Sequence, residues 1–371
     1  MKGIVILHFQ PIELYPPIQN LLHELEKANL NRQILVLTTA TYVSVSTFGI
    51  KSRKIKILRL GMSGHKLMPL RRYWNYLYFN TASLLLLILY WPNHILYFET
   101  LSSFPAYLLK RFFKSSTKIF IHYHEYVSND EYQNGMTLTR YFHRLENYLY
   151  QKSEWISHTN KYRMELFRQD NCQKILSPTF IFPNYPPKKW YRTPKMILNW
   201  PLKIVYIGSL SLTTMYSKEF TDWVISQNGN AQFDLYSYNC DDDARRYFKA
   251  LNSKFVNLLD GLDYNQLPAV LNTYDVGVIL YKGHIPNYIF NAPNKLFEYL
   301  ACGLDVWFPN VIIGSLEYCT KETYPEVLSL DFNSMDSWFL KKPLDRSNVK
   351  YLPTNYYSEN VARELIEKLN L

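Results

Sequence analysis

The chain has 371 residues, more than one ordinary domain uses and enough for two domains of roughly 180 residues each. Apolar residues make up 47% of it, which supplies two hydrophobic cores and excludes a disordered chain. The formal net charge of +10 is unevenly distributed: residues 1–199 hold 26 Lys and Arg against 11 Asp and Glu, whereas residues 200–371 hold 15 against 20.

The positive first half predicts attraction to an anionic surface. A membrane fits better than nucleic acid, because no recognisable nucleic-acid-binding module accompanies the basic residues. A merely solvated basic surface is the alternative. The four cysteines show no metal-ligand spacing, so the sequence predicts no metal site and a reduced, cytosolic protein. The start is too short for a signal peptide core and predicts a buried first strand over 2–8.

The first 60 residues alternate apolar runs with helical patterns. After the first predicted strand, a loop carries Glu13 and Tyr15, and a helix follows with apolar residues at helical spacing. Further strands are predicted at 34–37 and 55–60. The side chain of Glu13 therefore occupies the loop after the first strand.

Residues 73–91 carry no charge and approach transmembrane length. Polar side chains interrupt the run, and a predicted strand at 95–98 follows almost immediately. The run therefore predicts a buried or partly membrane-facing helix rather than a span. Basic and aromatic residues crowd segments 66–74 and 104–114, Lys66 and Lys114 among them, in the composition typical of a lipid headgroup boundary.

The predicted strand 118–122 ends in His122, Tyr123, His124 and Glu125. Ligands bind beyond the carboxyl ends of strands in open parallel sheets, so His124 and Glu125 are candidate catalytic residues. A lone histidine is more often structural than catalytic, and the presence of two histidines and a glutamate together favours function.

Residues 183–201 contain five prolines and predict a linker over 186–201. It separates an N-terminal domain, 1–185, from a C-terminal domain, 202–355, and residues 356–371 predict a helix that packs back on the first domain. The second domain begins with a strand, 203–207, that ends in Gly208 and Ser209.

Residues 291–303 lie between two apolar runs and predict a loop that leads into a short helix. Pro293 suits the helix entry and Gly303 its end. A helix N-terminus offers free N–H groups and a positive partial charge, to which Lys295 adds a full charge. The segment therefore predicts a phosphate site, with Glu298 one turn further along to accept hydrogen bonds from sugar hydroxyls. A solvated helix glutamate is the structural alternative.

This segment resembles the donor-binding helix of GT-B glycosyltransferases, especially the retaining family 4, where a Pro-x-Lys-x-x-Glu-Tyr-x-x-x-Gly helix holds a nucleotide sugar. The resemblance implies an α/β protein with the GT-B fold, two Rossmann-like domains facing across a cleft. It also implies donor-binding roles for residues at the end of the strand 203–207, in two loops, on a nearby helix and on the signature helix. They are Gly208, Ser209, Lys218, Gly261, Lys282, Asn294, Lys295, Leu296 and Glu298.

Within that pattern, Lys295 with the helix N-terminus would hold the diphosphate, Glu298 the ribose, and His124 the transferred sugar. Glu125 would orient the sugar or approach the acceptor, and Glu13 would face the acceptor. Two positions depart from the family: Phe290 stands where the first of two glutamates is usual, and Ser209 where an arginine is usual.

The resemblance implies transfer of a sugar from a UDP- or GDP-linked donor to a saccharide acceptor, lipid-linked through polyprenyl diphosphate, in bacterial surface polysaccharide or capsule biosynthesis. It implies no cofactor and no metal, and a peripheral location at the cytoplasmic face of the cell membrane. An inverting mechanism follows instead if Glu125 or Glu13 faces the acceptor hydroxyl. A catalytically silent binding or scaffold relative and a nucleotide-sugar epimerase are the alternatives.

Overall fold

The chain forms two compact units, Met1–Asn184 with Ser358–Leu371, and Tyr185–Tyr357. Each contains a sheet of parallel strands, and the predicted class of two Rossmann-like α/β domains is confirmed. The computed structural model describes residues 3–41, 47–62, 68–113, 116–135, 137–172, 174–195, 200–320, 323–338, 340, 350–351 and 354–370.

Seven parallel strands form the sheet of the first unit, in the order β3-β2-β1-β4-β5-β6-β7. They are β1 Ile4–His8, β2 Ile34–Ala40, β3 Ile55–Met62, β4 His94–Phe98, β5 Lys118–Tyr123, β6 Trp155–His158 and β7 Thr179–Ile181. The chain adds strands on one side of β1 and then crosses to add β4 on the other. The carboxyl ends of β1 and β4 therefore flank the topological switch point, where α/β sheets bind ligands.

Alternate residues of each buried strand face opposite sides of this sheet. Ile4 and Ile6 contribute to one hydrophobic core and Val5 and Leu7 to another, so helices cover both faces. The helices are α1 Pro16–Ala28, α2 Pro69–Tyr90, α3 Phe104–Phe112, α4 Asn129–Asn134, α5 Thr137–Tyr150, α6 Lys161–Asp170 and α12 Ser358–Asn370.

The uncharged run 73–91 lies almost entirely in α2. The helix buries Phe79 and Leu87 completely but leaves Trp74 59% and Leu89 82% exposed. Within the ranges that the structure describes, no helix combines the length and hydropathy of a membrane span. Lys66 and Lys114, which belong to the predicted basic and aromatic segments, lie outside the described residues.

The C-terminal helix α12 packs on α1 in the first unit. Its apolar stripe places Leu365 and Leu369 in the core that also holds Leu22 and Leu25 of α1. Burial of four leucine side chains, at roughly 1.5–3 kcal/mol each, holds this helix in place. An ion pair at its start joins Glu359 to Lys27 at 3.2 Å.

Six parallel strands form the main sheet of the second unit, in the order β10-β9-β8-β11-β12-β14. They are β8 Leu202–Ile207, β9 Ala231–Ser237, β10 Val256–Asp260, β11 Val276–Val278, β12 Asp305–Pro309 and β14 Val327–Leu330, and a separate pair consists of β13 Thr323–Tyr324 and β15 Lys350–Tyr351. The helices are α7 Ser217–Ser226, α8 Asp242–Ala250, α9 Leu267–Leu271, α10 Pro286–Ile289 and α11 Asn294–Ala301. Here the switch point lies between β8 and β11.

Residues 185–195 and 200–201 of the proline-rich segment belong to this second unit. Trp190 is buried in its core, and the Arg192 N–H donates to the Ala301 carbonyl at 2.8 Å. The predicted signature helix is confirmed as α11. Pro293 is its N-cap residue, and Gly303, with φ +79°, takes the left-handed conformation that ends it.

Candidate active site

The first residue after β8, Gly208, lies under the side chain of Lys295 at the switch point of the second unit. A Cβ added to Gly208 would lie 2.8 Å from Lys295 Nζ and 3.1 Å from the Tyr206 hydroxyl. The φ of Gly208 is +147°, a backbone conformation that favours glycine. The glycine therefore both permits this turn and leaves the space that the lysine uses. The structure brings together two donor-site residues that the sequence predicted separately.

The ammonium group of Lys295 lies among aromatic side chains. Nζ donates to the Tyr281 hydroxyl at 3.2 Å and lies 5.4 Å from the Tyr206 ring centroid and 5.6 Å from that of Tyr281. No described carboxylate lies within 4 Å of it. The charge is therefore available to a ligand.

The start of α11 adds backbone donors to this charge. Among the described residues, no acceptor binds the backbone N–H of Asn294 or of Lys295. Free N–H groups in the first turn carry the positive end of the helix dipole. Together with the lysine they form a site suited to an anionic group such as a phosphate.

Glu298 lies one turn along the same helix, and the residue is 8% exposed. Burial raises the pKa of its carboxyl group to about 7, and the nearby charge of Lys295 only partly opposes that rise. No group within the described ranges donates a hydrogen bond to this carboxylate. Buried carboxylates are normally satisfied, so Glu298 has acceptor capacity for hydroxyl groups that a ligand brings.

The two other lysines predicted at the donor site already have carboxylate partners. Lys282 Nζ donates to Glu219 Oε1 at 2.6 Å, and Lys218 Nζ donates to Asp222 Oδ2 at 2.6 Å on the exposed face of α7. Neither offers a free charge comparable to that of Lys295.

Three other predicted donor-site residues differ in what they can offer. Ser209 is exposed, and its hydroxyl lies 3.5 Å from Asn239 Nδ2. Gly261 packs so closely on the Tyr238 ring that a Cβ would approach it within 2.4 Å. The side chain of Leu296 is fully buried in the core, so only its backbone can face a ligand.

In the first unit, His124 is the first residue after β5 and is 5% exposed. Its ring stacks on Phe98 at 5.2 Å, and Nδ1 lies 3.4 Å from Asn184 Oδ1. Donation from Nδ1–H to Asn184 leaves Nε2 as an acceptor, and this buried atom has no hydrogen-bond partner among the described residues. Burial lowers the pKa of His124 to about 4, so the ring is neutral at pH 7. A neutral imidazole with a free acceptor is suited to a sugar hydroxyl.

The two other predicted catalytic acids differ in environment. Glu125 is exposed, and its N–H donates to Glu99 Oε1 at 3.3 Å. Glu13 has a side chain only 2% exposed and forms an ion pair with Arg59, and its carboxylate also accepts the Phe48 N–H at 3.2 Å. Glu13 is therefore held by groups of its own unit, whereas Glu125 can reach solvent.

The sequence analysis missed two residues at the switch point of the first unit. His8 ends β1, and its ring centroid is 6.3 Å from that of His124. Glu99 follows β4 directly and accepts the His124 N–H at 2.6 Å. The rule that selected His124, a polar residue at the carboxyl end of a buried strand, would also have selected Glu99.

No three His, Cys, Asp or Glu side chains in the described parts of the chain are placed to hold a metal ion. No protein-family model matches the sequence, and no curated protein matches it by sequence. The chain is nevertheless similar over its whole length to solved structures. They include a sucrose-phosphate synthase, a galactosyltransferase and a UDP-GlcNAc 2-epimerase.

The sucrose-phosphate synthase of Thermosynechococcus elongatus has 14% identity and a TM-score of 0.66, covering 100% of this chain and 95% of its own. The lipopolysaccharide outer core galactosyltransferase WaaB has 14% identity and a TM-score of 0.61, covering 100% of both chains. A UDP-GlcNAc 2-epimerase from Methanocaldococcus jannaschii has 9% identity and a TM-score of 0.58, covering 100% and 99%. These matches establish the GT-B fold.

Proposed function

We propose that this protein is a glycosyltransferase of the family 4 type, which moves a sugar from a nucleotide diphosphate sugar to a saccharide acceptor. The observation that carries the proposal is the Lys295 ammonium over Gly208, which pairs with no described carboxylate and lies beside the N–H groups that open α11. When the bond between the sugar C1 and the diphosphate oxygen breaks, negative charge develops on the diphosphate. Donors already fixed at that position stabilise the transition state.

The remaining donor contacts follow from the chemistry of the other residues. Glu298 accepts hydrogen bonds from the ribose hydroxyls, and His124 Nε2 accepts one from the transferred sugar. Glu125 orients the sugar or approaches the acceptor. Because Lys295 and the helix N-terminus supply positive charge, the reaction runs without a metal ion.

Two other functions are compatible with the same fold. A silent binding relative is favoured by Phe290 and Ser209, which replace charged residues of the family pattern. An epimerase is favoured by the likeness to a UDP-GlcNAc 2-epimerase. Donor turnover separates the enzyme from the silent relative, and the identity of the product separates transfer from epimerisation.

The proposal that the acceptor is linked to a membrane lipid rests on the exposed side chains of α2 and α3. Arg71 and Arg72 are exposed, Arg111 is exposed on α3, and Leu89 and Trp74 project from α2 into solvent. Exposed aromatic and apolar side chains beside basic ones suit a lipid headgroup boundary. We therefore place the protein at the cytoplasmic face of the cell membrane. There its acceptor is a saccharide linked to polyprenyl diphosphate, used in bacterial surface polysaccharide biosynthesis.

The test measures thermal unfolding and product formation with UDP, UDP-glucose, UDP-galactose, UDP-GlcNAc and GDP-mannose. A nucleotide that binds the folded state raises the unfolding temperature. Lys295→Ala should abolish this rise for the diphosphates. Lys249→Ala is the matched control, because that lysine is exposed on α8 of the same unit and has no predicted role at the donor site. If Lys295→Ala and Lys249→Ala bind UDP equally well, the diphosphate site is wrong.

A further inference from the structure

Glu99, the residue after β4, has a backbone conformation that glycine normally occupies. Its φ is +63° and its ψ is 153°. For a residue with a side chain, such a conformation is strained and persists only where surrounding contacts impose it. Both ends of the residue are fixed: its N–H donates to the His122 carbonyl at 3.1 Å, and its carbonyl accepts the Ser102 N–H at 2.9 Å.

The side chain of Glu99 reaches from the end of β4 to the turn that follows β5. Its Oε1 accepts the backbone N–H of His124 at 2.6 Å and that of Glu125 at 3.3 Å. These are two of the three residues that the sequence predicts to be catalytic. A glycine would adopt the backbone conformation more easily, but it would supply no acceptor for the two N–H groups.

The same turn is held from its other side by a buried arginine. Arg163 Nη1 donates to the His124 carbonyl at 2.7 Å and to the Thr159 hydroxyl at 3.0 Å. The peptide groups before and after the His124 side chain are therefore both fixed by charged or polar side chains from other elements. The ring is stacked on Phe98, and no residue in the described ranges forms a hydrogen bond with its Nε2.

We propose that Glu99 is a positioning residue, whose carboxyl group and strained backbone hold the turn His124–Glu125 in the arrangement that presents His124 Nε2 to the sugar. The catalytic part of this inference rests on the proposed function. The contact itself is a property of the first unit and can be measured without a substrate.

Glutamine is the conservative variant for this test. Burial and the repulsion from Glu125 raise the pKa of Glu99 to about 8, although the two backbone N–H groups oppose the rise. The group is therefore largely neutral at pH 7, and the carbonyl oxygen of Gln can accept both N–H groups in the same way. Ala and Gly remove the acceptor, and Gly also removes the backbone strain.

The first arm measures amide hydrogen exchange at His124 and Glu125 by NMR. Glu99→Ala and Glu99→Gly should speed exchange at both amides by about tenfold or more, because each loses a hydrogen bond to a carboxyl group. Glu99→Gln should leave it close to that of the wild type. Glu26→Ala is the matched control: Glu26 Oε1 accepts the Ser52 N–H at 2.7 Å in the same unit, so its loss should affect Ser52 alone.

The second arm measures kcat and KM with whichever of the four nucleotide sugars the wild type turns over. Misplacement of His124 should lower kcat by about 10²-fold in Glu99→Ala and Glu99→Gly, with KM for the donor little changed. Glu99→Gln should keep most of the activity. If Glu99→Ala fails to fold, Glu99→Gly supplies the same comparison with the strain relieved.

Three results would each overturn a different part of the proposal. Unchanged exchange at His124 in Glu99→Ala overturns the contact. Loss of activity in Glu99→Gln with exchange preserved overturns positioning, because the carboxyl group would then transfer a proton itself. A wild type that turns over none of the donors overturns the proposed function and the catalytic part of this inference, while the exchange arm still tests the contact.

Discussion

Replacing Glu298 with Gln should make the ligand-free protein increasingly stable relative to the wild type as the pH rises, and it should weaken nucleotide binding. The first effect follows from burial. The carboxyl group has an ordinary pKa of 4.5 and a pKa of about 7 in the folded protein, where desolvation disfavours the charged form. One pKa unit corresponds to 1.36 kcal/mol, so ionising Glu298 costs the folded state about 3 kcal/mol.

Because the pKa of Glu298 is higher in the folded state than in the unfolded state, its effect on stability depends on pH in a defined range. Below pH 4.5 the group is protonated in both states and costs nothing. Between pH 4.5 and about 7 the unfolded state releases its proton first, so stability falls, and above pH 7 the full cost is present. Gln cannot ionise. The difference in unfolding free energy between Glu298→Gln and the wild type should therefore grow by about 3 kcal/mol from pH 4.5 to pH 8.

Denaturant unfolding of both proteins at several pH values measures this difference. A Gln amide buried without partners destabilises equally at every pH, so the pH dependence of the difference is the informative quantity. A difference that does not change with pH would refute the reasoning, because the carboxyl group of Glu298 would then be solvated in the folded protein.

Nucleotide binding should change in the opposite direction. If the carboxylate accepts ribose hydroxyls, Glu298→Gln weakens UDP binding by about 1.5–3 kcal/mol at pH 8. Affinity of the wild type for UDP should fall as the pH drops through 7, since protonation removes the charged acceptor. Titration calorimetry checks both. Unchanged UDP affinity in a folded variant would contradict the assignment of Glu298 to the ribose.

Three further outcomes are expected. Gly208→Ala should displace the Lys295 ammonium, because the added Cβ would lie 2.8 Å from it. The variant should bind UDP about tenfold or more weakly and should bind uridine as the wild type does. Equal losses of affinity for UDP and uridine would refute the contact of Lys295 with the diphosphate. His124→Ala should lower turnover far more than UDP affinity, and equal loss of both would move His124 away from the sugar. Binding to vesicles that contain an anionic lipid should weaken steeply as the salt concentration rises. A variant with Gln at four basic positions should no longer bind these vesicles but should keep its activity on a water-soluble acceptor. Sedimentation of that variant with the vesicles at moderate salt would contradict the peripheral membrane hypothesis. The four positions are Arg71, Arg72, Lys110 and Arg111.

The sequence alone determined the elements whose signals are local. Buried parallel strands are apolar along their whole length, so the runs at 4–8, 34–37 and 118–122 can be recognised without any partner. The end of α11 is equally local, because Gly303 takes a left-handed conformation that few other residues adopt easily. The relative position of Lys295 and Glu298 was also predicted from the sequence, because a spacing of three residues places two side chains on the same face of a helix.

Tertiary structure decided which side chains are free and which meet. Lys218, Lys282 and Lys295 are alike as residues. In the part of the chain that the structure describes, the first two have carboxylate partners and Lys295 has none, because pairing depends on the neighbours that folding supplies. Glu99 and His124 lie on different strands, and only the order of strands in the sheet brings their carboxyl ends together. The raised pKa of Glu298 also comes from folding, because desolvation arises only when the second unit packs around the carboxyl group.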